Sequence, residues 1–220
     1  MATSLPSVFV IGSSTTLLMH PYLVQMLRGL CAYSRKGNED SSIQEAMDNL
    51  DVPAGGSAGD SGMIMDYLRT LDRAGTFQPD AVLLHVGFHD IKTDPQTGKK
   101  QVPLTQFHRN LTDILGWFEK NGIPLIWMRP GPLDERIHNT RSSAFLRFEA
   151  DLCAYNDAAD RLLSEHGTPI LDLAGFTRRL GPMSQLLKDH VHFNDDVVRQ
   201  QAAYVAGYLT SYLQAHQLAV

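Results

Sequence analysis

The residues able to do chemistry in this chain sit in two short stretches far apart in sequence. Gly12-Ser13-Ser14 closes the apolar run 8–11, and Asp189-His190-Val191-His192 stands near the carboxyl end. Nucleophilic hydroxyl chemistry needs a base to take the proton and a third group to hold that base in the right tautomer. Ser14, His192 and Asp189 supply the set, since an Asp three residues before a His can orient its imidazole. Charge developing on a carbonyl oxygen also calls for preorganised donors. The backbone N–H of Ser14 and that of a glycine in the loop 54–62 are natural ones, with Gly56 the best candidate. Taken alone, residues 13–16 read equally well as a helix cap, because Ser and Thr are favoured N-cap residues.

Bringing these groups together takes a sheet. Residues 8–11 are β-branched or aromatic without polar alternation, as in a strand covered on both faces. Residues just past the carboxyl end of such a strand face the crevice where open α/β sheets bind ligands. Runs at 80–86, 124–128 and 169–173 repeat the pattern, and helical stripes alternate with them at 17–33, 63–71, 104–118, 145–162 and 194–212. Pro21 leaves the start of the first helix open. Segment 34–51 reads as polar with a short helical stretch at 43–50, segment 130–143 as a polar loop, and 174–188 as an irregular connection. The alternation, with no repeat or linker, predicts one domain over 1–220: α/β, doubly wound and flavodoxin-like, with helices on both faces of a parallel sheet. Three loops then share one rim, at 12–16, 54–62 and 87–90. The glycine-rich loop has neither GxGxxG nor a following Gly-Lys-Ser/Thr, which disfavours nucleotide phosphate.

Composition narrows the partners. The 220 residues are 43% hydrophobic and 20% charged, enough for a sizeable core. A net charge of −5 without a basic block gives no footprint for nucleic acid or an anionic membrane. The chain enters its first strand early, with no basic n-region, and no apolar run approaches membrane-spanning length, so a cytoplasmic protein is expected. Cys31 and Cys153, each in an expected helix, lack metal-ligand spacing and read as buried free thiols. Nothing in the sequence sets an oligomeric state.

In chain order these stretches resemble the four blocks of the SGNH (GDSL-like) hydrolase family, which together span most of the domain. The Gly-Asp-Ser block matches Gly12-Ser13-Ser14, with Ser13 where Asp is usual. A glycine donor of the second block matches Gly56, and the closing Asp-x-x-His matches Asp189 and His192. The third block, normally Gly-x-Asn-Asp, is here Gly87-Phe88-His89-Asp90. The resemblance implies a serine esterase or deacylase with Ser14 as nucleophile, acting on a small-molecule or carbohydrate ester, without cofactor or metal. The oxyanion donors would be Ser14, Gly56 and His89, the last standing in for Asn with its other ring nitrogen held by Asp90 or a carbonyl.

Other readings use the same residues. An acyltransferase would pass the acyl group from Ser14 to a hydroxyl or amine. A metal-dependent hydrolase could be built on Asp189, His190, His192 and His89, since His and carboxylate ligands suit zinc. A catalytically silent binding module is the third. Arg129, Arg136 and Arg141 are candidate contacts to an anionic or hydroxylated substrate. His85 reads as a hydrogen-bonded core residue, while His20, His108, His138, His166 and His216 read as surface.

Overall fold

The computed structural model describes residues 4–142 and 144–216. Five parallel strands form one sheet in the order β2-β1-β3-β4-β5. They are β1 (Ser7–Ile11), β2 (Ala32–Arg35), β3 (Ala81–Leu84), β4 (Leu125–Met128) and β5 (Ile170–Leu171). The helices are α1 (Ser14–Met26), α2 (Asp40–Asp48), α3 (Ser61–Ala74), α4 (Leu104–Lys120), α5 (Glu135–Arg141), α6 (Glu149–Glu165), α7 (Leu173–Arg178), α8 (Met183–Leu186) and α9 (Asp195–Ala215).

Strand alternation sorts the core into two layers. Val8 and Val10 of β1, Leu83 of β3, and Ile126 and Met128 of β4 pack with Leu23 of α1 and Val205 and Leu209 of α9. Ile11, Val82, Leu84 and Trp127 face the other way, onto Ile64 of α3, Leu111 of α4 and Leu152 of α6. Burying apolar side chains on both faces is what makes the strands read as unbroken hydrophobic runs. The doubly wound α/β class expected from the sequence is the one found. Chain connections leave β1 toward β2 on one side and return to β3 on the other, which puts a topological switch point, and hence a crevice, between the ends of β1 and β3.

Several local features depart from the sequence reading. β2 is an edge strand of Ala, Tyr, Ser and Arg with only Arg35 fully buried, so it carries no apolar run to betray it. Cys31 precedes that strand instead of lying in a helix, and although it is buried, Cys153 of α6 is exposed. Helix α1 begins at once at Ser14 and carries Pro21 inside it. Residues 135–141 form α5, with Asp134 capping it through the Ile137 N–H at 3.0 Å. The segment 174–188 holds most of α7 and all of α8.

Candidate active site

Ser14 stands where β1 hands over to α1. Gly12 makes that turn feasible: a Cβ there would come within 2.5 Å of Thr16 Cγ2 and 3.2 Å of His85 Cβ. Ser13 occupies the N-cap position, yet its side chain makes no capping bond. Its Oγ instead accepts the N–H of Gly59 at 3.0 Å. Ser14, one residue on, has no side-chain partner among the described residues and opens into a pocket. Its N–H belongs to the first helical turn, whose donors have no intrahelical acceptor.

That pocket lies at the β1–β3 switch point and includes Ser14, Gly59, His85, His89, Arg147 and His192 in its wall. Its volume is about 20 Å³, room for one compact group. Four of its buried nitrogens have no hydrogen-bond partner among the described residues: His85 Nδ1, His89 Nδ1, Arg147 Nη1 and His192 Nε2. Buried polar atoms are nearly always satisfied. Such a concentration around one hydroxyl therefore marks a place built to receive a polar ligand.

His192 and Asp189 are tightly organised. Asp189 Oδ2 lies 2.9 Å from His192 Nδ1, while Oδ1 accepts the backbone N–H groups of Val191 at 2.9 Å and His192 at 2.7 Å. Desolvation works against the carboxylate's charge, but the bonds to the His192 ring and to these amides outweigh it and hold the group well below the usual carboxylate range. With Nδ1 donating to Asp189, the assigned tautomer leaves a lone pair on Nε2. The loop is pinned in turn, Lys188 N donating to His192 O at 2.9 Å and Asn194 N to Leu186 O at 2.8 Å. Asn194 then caps α9 through Val197 N–H. No hydrogen bond joins Ser14 to His192; catalytic bonds of this kind commonly tighten only when substrate is bound.

The glycine-rich loop corrects one expectation. Gly56 does not line the pocket, and its N–H is directed to Ser42 O at 2.9 Å, away from the serine. Gly59 is the loop glycine that faces Ser13 and the pocket, at φ +70°. The local signal for it is position: Gly59 directly precedes Asp60, the N-cap of α3, just as Gly12 precedes the N-cap of α1.

His89 is 3% exposed and lines the pocket. Burial, with Lys92 and Arg147 nearby, pulls its pKa well below the ordinary histidine value, so the ring is neutral at pH 7. Asp90 does not hold it. That carboxylate is clipped to the start of α3 by Ser61 N–H at 3.0 Å and Ser61 Oγ at 2.5 Å.

The three arginines expected at the substrate fall elsewhere. Arg129 pairs with Asp160 and with Asp172 at 3.4 Å, and Arg136 is exposed on α5. Arg141 donates to the carbonyl of Asp189 at 2.9 Å but does not line the pocket. None had a neighbour in sequence to show where its helix or strand end would point. Arg147, which does line the pocket, falls within the stripe expected to be helical from residue 145, but α6 begins only at Glu149, so Arg147 sits in the loop before it. His138 is fully buried, not at the surface, and His85 Nδ1 lacks the partner expected of a core histidine. His138 Nδ1 sits 3.0 Å from His190 Nδ1, and His190 Nε2 2.9 Å from Asp51 Oδ2.

Asp189, His190 and His192 offer ligand atoms within 4.8 Å of one another, the arrangement a metal would use. Both nitrogens of His190 and Nδ1 of His192 are engaged by protein groups, however, and His89 contributes no atom to this cluster. A cation would have to displace the bonds that orient His192.

A parallel α/β sheet with a free serine at its switch point and an Asp–His pair on the facing loop defines a class, the SGNH-type hydrolases. The sequence pattern of the GDSL-like lipase/acylhydrolase family matches residues 36–199, and the chain belongs to that family. The match begins after Ser14. Similar solved structures include the acetyl xylan esterase AlAXEase, at 18% identity and a TM-score of 0.66, covering 92% of this chain and 99% of that one. A lipase/acylhydrolase from Enterococcus faecalis shares 13% identity at a TM-score of 0.64, with 94% and 96% covered. The psychrotrophic esterase EstA from Pseudoalteromonas sp. shares 14% at 0.58, with 94% and 98% covered. No curated protein sequence matches significantly. Among the described residues no helix is long and apolar enough to cross a membrane.

Proposed function

We propose that the protein is a serine esterase or deacylase that carries the acyl group of a small-molecule or carbohydrate ester on Ser14. The observation that carries this reading is the pairing of an unengaged Ser14 hydroxyl with an unpartnered His192 Nε2 in one pocket, while Nδ1 of the same ring is held by Asp189. In the first step Nε2 takes the Ser14 proton as Oγ bonds to the ester carbonyl carbon, and the carbonyl electrons move onto oxygen. The backbone N–H groups of Ser14 and Gly59 and the ring N–H of His89 are the donors proposed for that oxyanion, Gly59 replacing Gly56. Gly59 N–H would share itself between Ser13 Oγ and the oxyanion. Collapse expels the alcohol, protonated by His192, and water repeats the sequence to free the acid. Transfer to another hydroxyl or amine would use the same residues.

The test is labelling with a serine-directed fluorophosphonate followed by peptide mapping. Modification is expected at Ser14, with label and ester hydrolysis both abolished in Ser14→Ala and largely kept in Ser13→Ala. A label found on Ser13 or Ser61 would refute the assignment.

A further inference from the structure

Arg147 is a charged side chain buried beside the reactive serine with no counter-ion. It is 3% exposed, its Nε donates to Phe88 O at 2.8 Å, and its Nη1 has no partner among the described residues. No carboxylate among the described residues comes within ion-pair distance of it; the nearest electrostatic influence is Asp51, whose Oδ2 is bound to His190. The rings of Phe145 and Phe88, 4.8 and 5.2 Å from the guanidinium carbon, offset part of the desolvation. Burial draws its pKa down to about 10, which still leaves it charged at neutral pH. An uncompensated buried cation is costly unless something anionic completes it.

Arg35 shows that burial alone is not the point. It too is nearly inaccessible, lacks an ion pair and leaves Nε and Nη1 without a partner among the described residues, but it borders no part of the serine pocket. Arg147 shares its pocket with Ser14, His89 and His192.

We propose that Arg147 is the specificity residue of this site and that it recognises a carboxylate on the substrate, so that the preferred esters carry an acidic group close to the scissile bond. The inference rests on the hydrolase reading of the same pocket. A planar guanidinium whose Nη1 has no protein partner among the described residues is suited to a small planar anion such as a carboxylate. A bulky neutral group placed there would leave both the cation and its own surface unsatisfied.

Binding can be measured without turnover by calorimetry on Ser14→Ala protein, with monomethyl succinate against dimethyl succinate. The monoester, with one free carboxylate, is expected to bind at least about tenfold more tightly, and Arg147→Gln in the same background should erase the difference. Arg147→Lys, which keeps the charge without the fork, should keep a reduced preference, and it decides the matter if the Gln variant fails to fold by its melting curve. Equal binding of the two esters, no detectable binding of either at millimolar concentration, or a preference that survives Arg147→Gln overturns the proposal. Wild-type turnover of a neutral ester is assayed in parallel. Preference without turnover would fault the hydrolase reading alone, and turnover without preference would fault only the carboxylate site.

Discussion

At the scale of single residues, the resemblance to the family is weakest at Ser13 and at His89, which stands where the third block would have Asn. A neutral imidazole donates one hydrogen bond, as an Asn amide hydrogen does, and the buried environment of His89 keeps it neutral. Its Nδ1 has no protein partner, so Asp90 does not fix the tautomer, and the ligand itself must select which nitrogen carries the proton. Loss of one oxyanion donor typically costs about a hundredfold to a thousandfold in turnover. His89→Ala is therefore expected to lower kcat by about that factor with an unchanged melting temperature, while His89→Asn retains much more activity. Equal full activity in both variants would remove the oxyanion role, and a change confined to KM would make His89 a substrate contact. That Ser14 shares a pocket with His192, and that Asp189 holds the His192 ring, was legible in sequence because strand-end position and the Asp-x-x-His spacing point to it. Gly56 and Gly59 differ only in backbone surroundings, which type and spacing do not encode.

At the scale of elements, the loop bearing His89 is fastened to α3 by one buried carboxylate. Asn110 of α4 donates to Ser61 Oγ at 2.8 Å, and Ser61 passes its own hydroxyl hydrogen to Asp90. Asp60 caps α3 and also accepts from Gln101 at 2.8 Å, so three segments meet here. Desolvation raises Asp90 to about 7, the Ser61 bonds opposing it. The unfolded chain, with an ordinary carboxylate pKa of about 3.9, releases this proton first. Below pH of about 4 both states hold it, and between about 4 and about 7 only the folded state does, so the Asp90 contribution to stability falls as pH rises through that window. Asp90→Asn cannot titrate. Urea unfolding at several pH values should show wild type losing on the order of 3 kcal/mol relative to the variant between pH 4 and 7. A pH-independent difference would contradict the raised carboxyl. Strands β1, β3 and β4 could be read from sequence because burial on both faces makes them continuously apolar. β2 and α5 could not, since an edge strand and a short capped helix need no such run.

At the scale of the molecule, the site depends on both core layers, because Ser14 begins a helix packed on one face while Gly59 and His89 belong to connections that pack on the other. The alternation of helices and strands made this layering legible, but the tertiary approach of Arg147 to a serine more than a hundred residues away was not. One sheet shared by two cores should behave as one cooperative unit. Both tryptophans, Trp117 and Trp127, lie in the layer under α3, α4 and α6, whereas Leu209 of α9 is fully buried in the opposite layer. Leu209→Ala deletes buried methyl groups and should destabilise the fold by about 2–5 kcal/mol. If the layers are coupled through the sheet, that loss must appear equally in tryptophan fluorescence, which reports the far layer, and in far-ultraviolet ellipticity, which reports all the helices. The two urea midpoints are expected to move down together. A fluorescence midpoint that stays in place while ellipticity shifts would mean that α9 and its layer unfold separately, and that the loop carrying Asp189 and His192 can detach from the Ser14 pocket on its own.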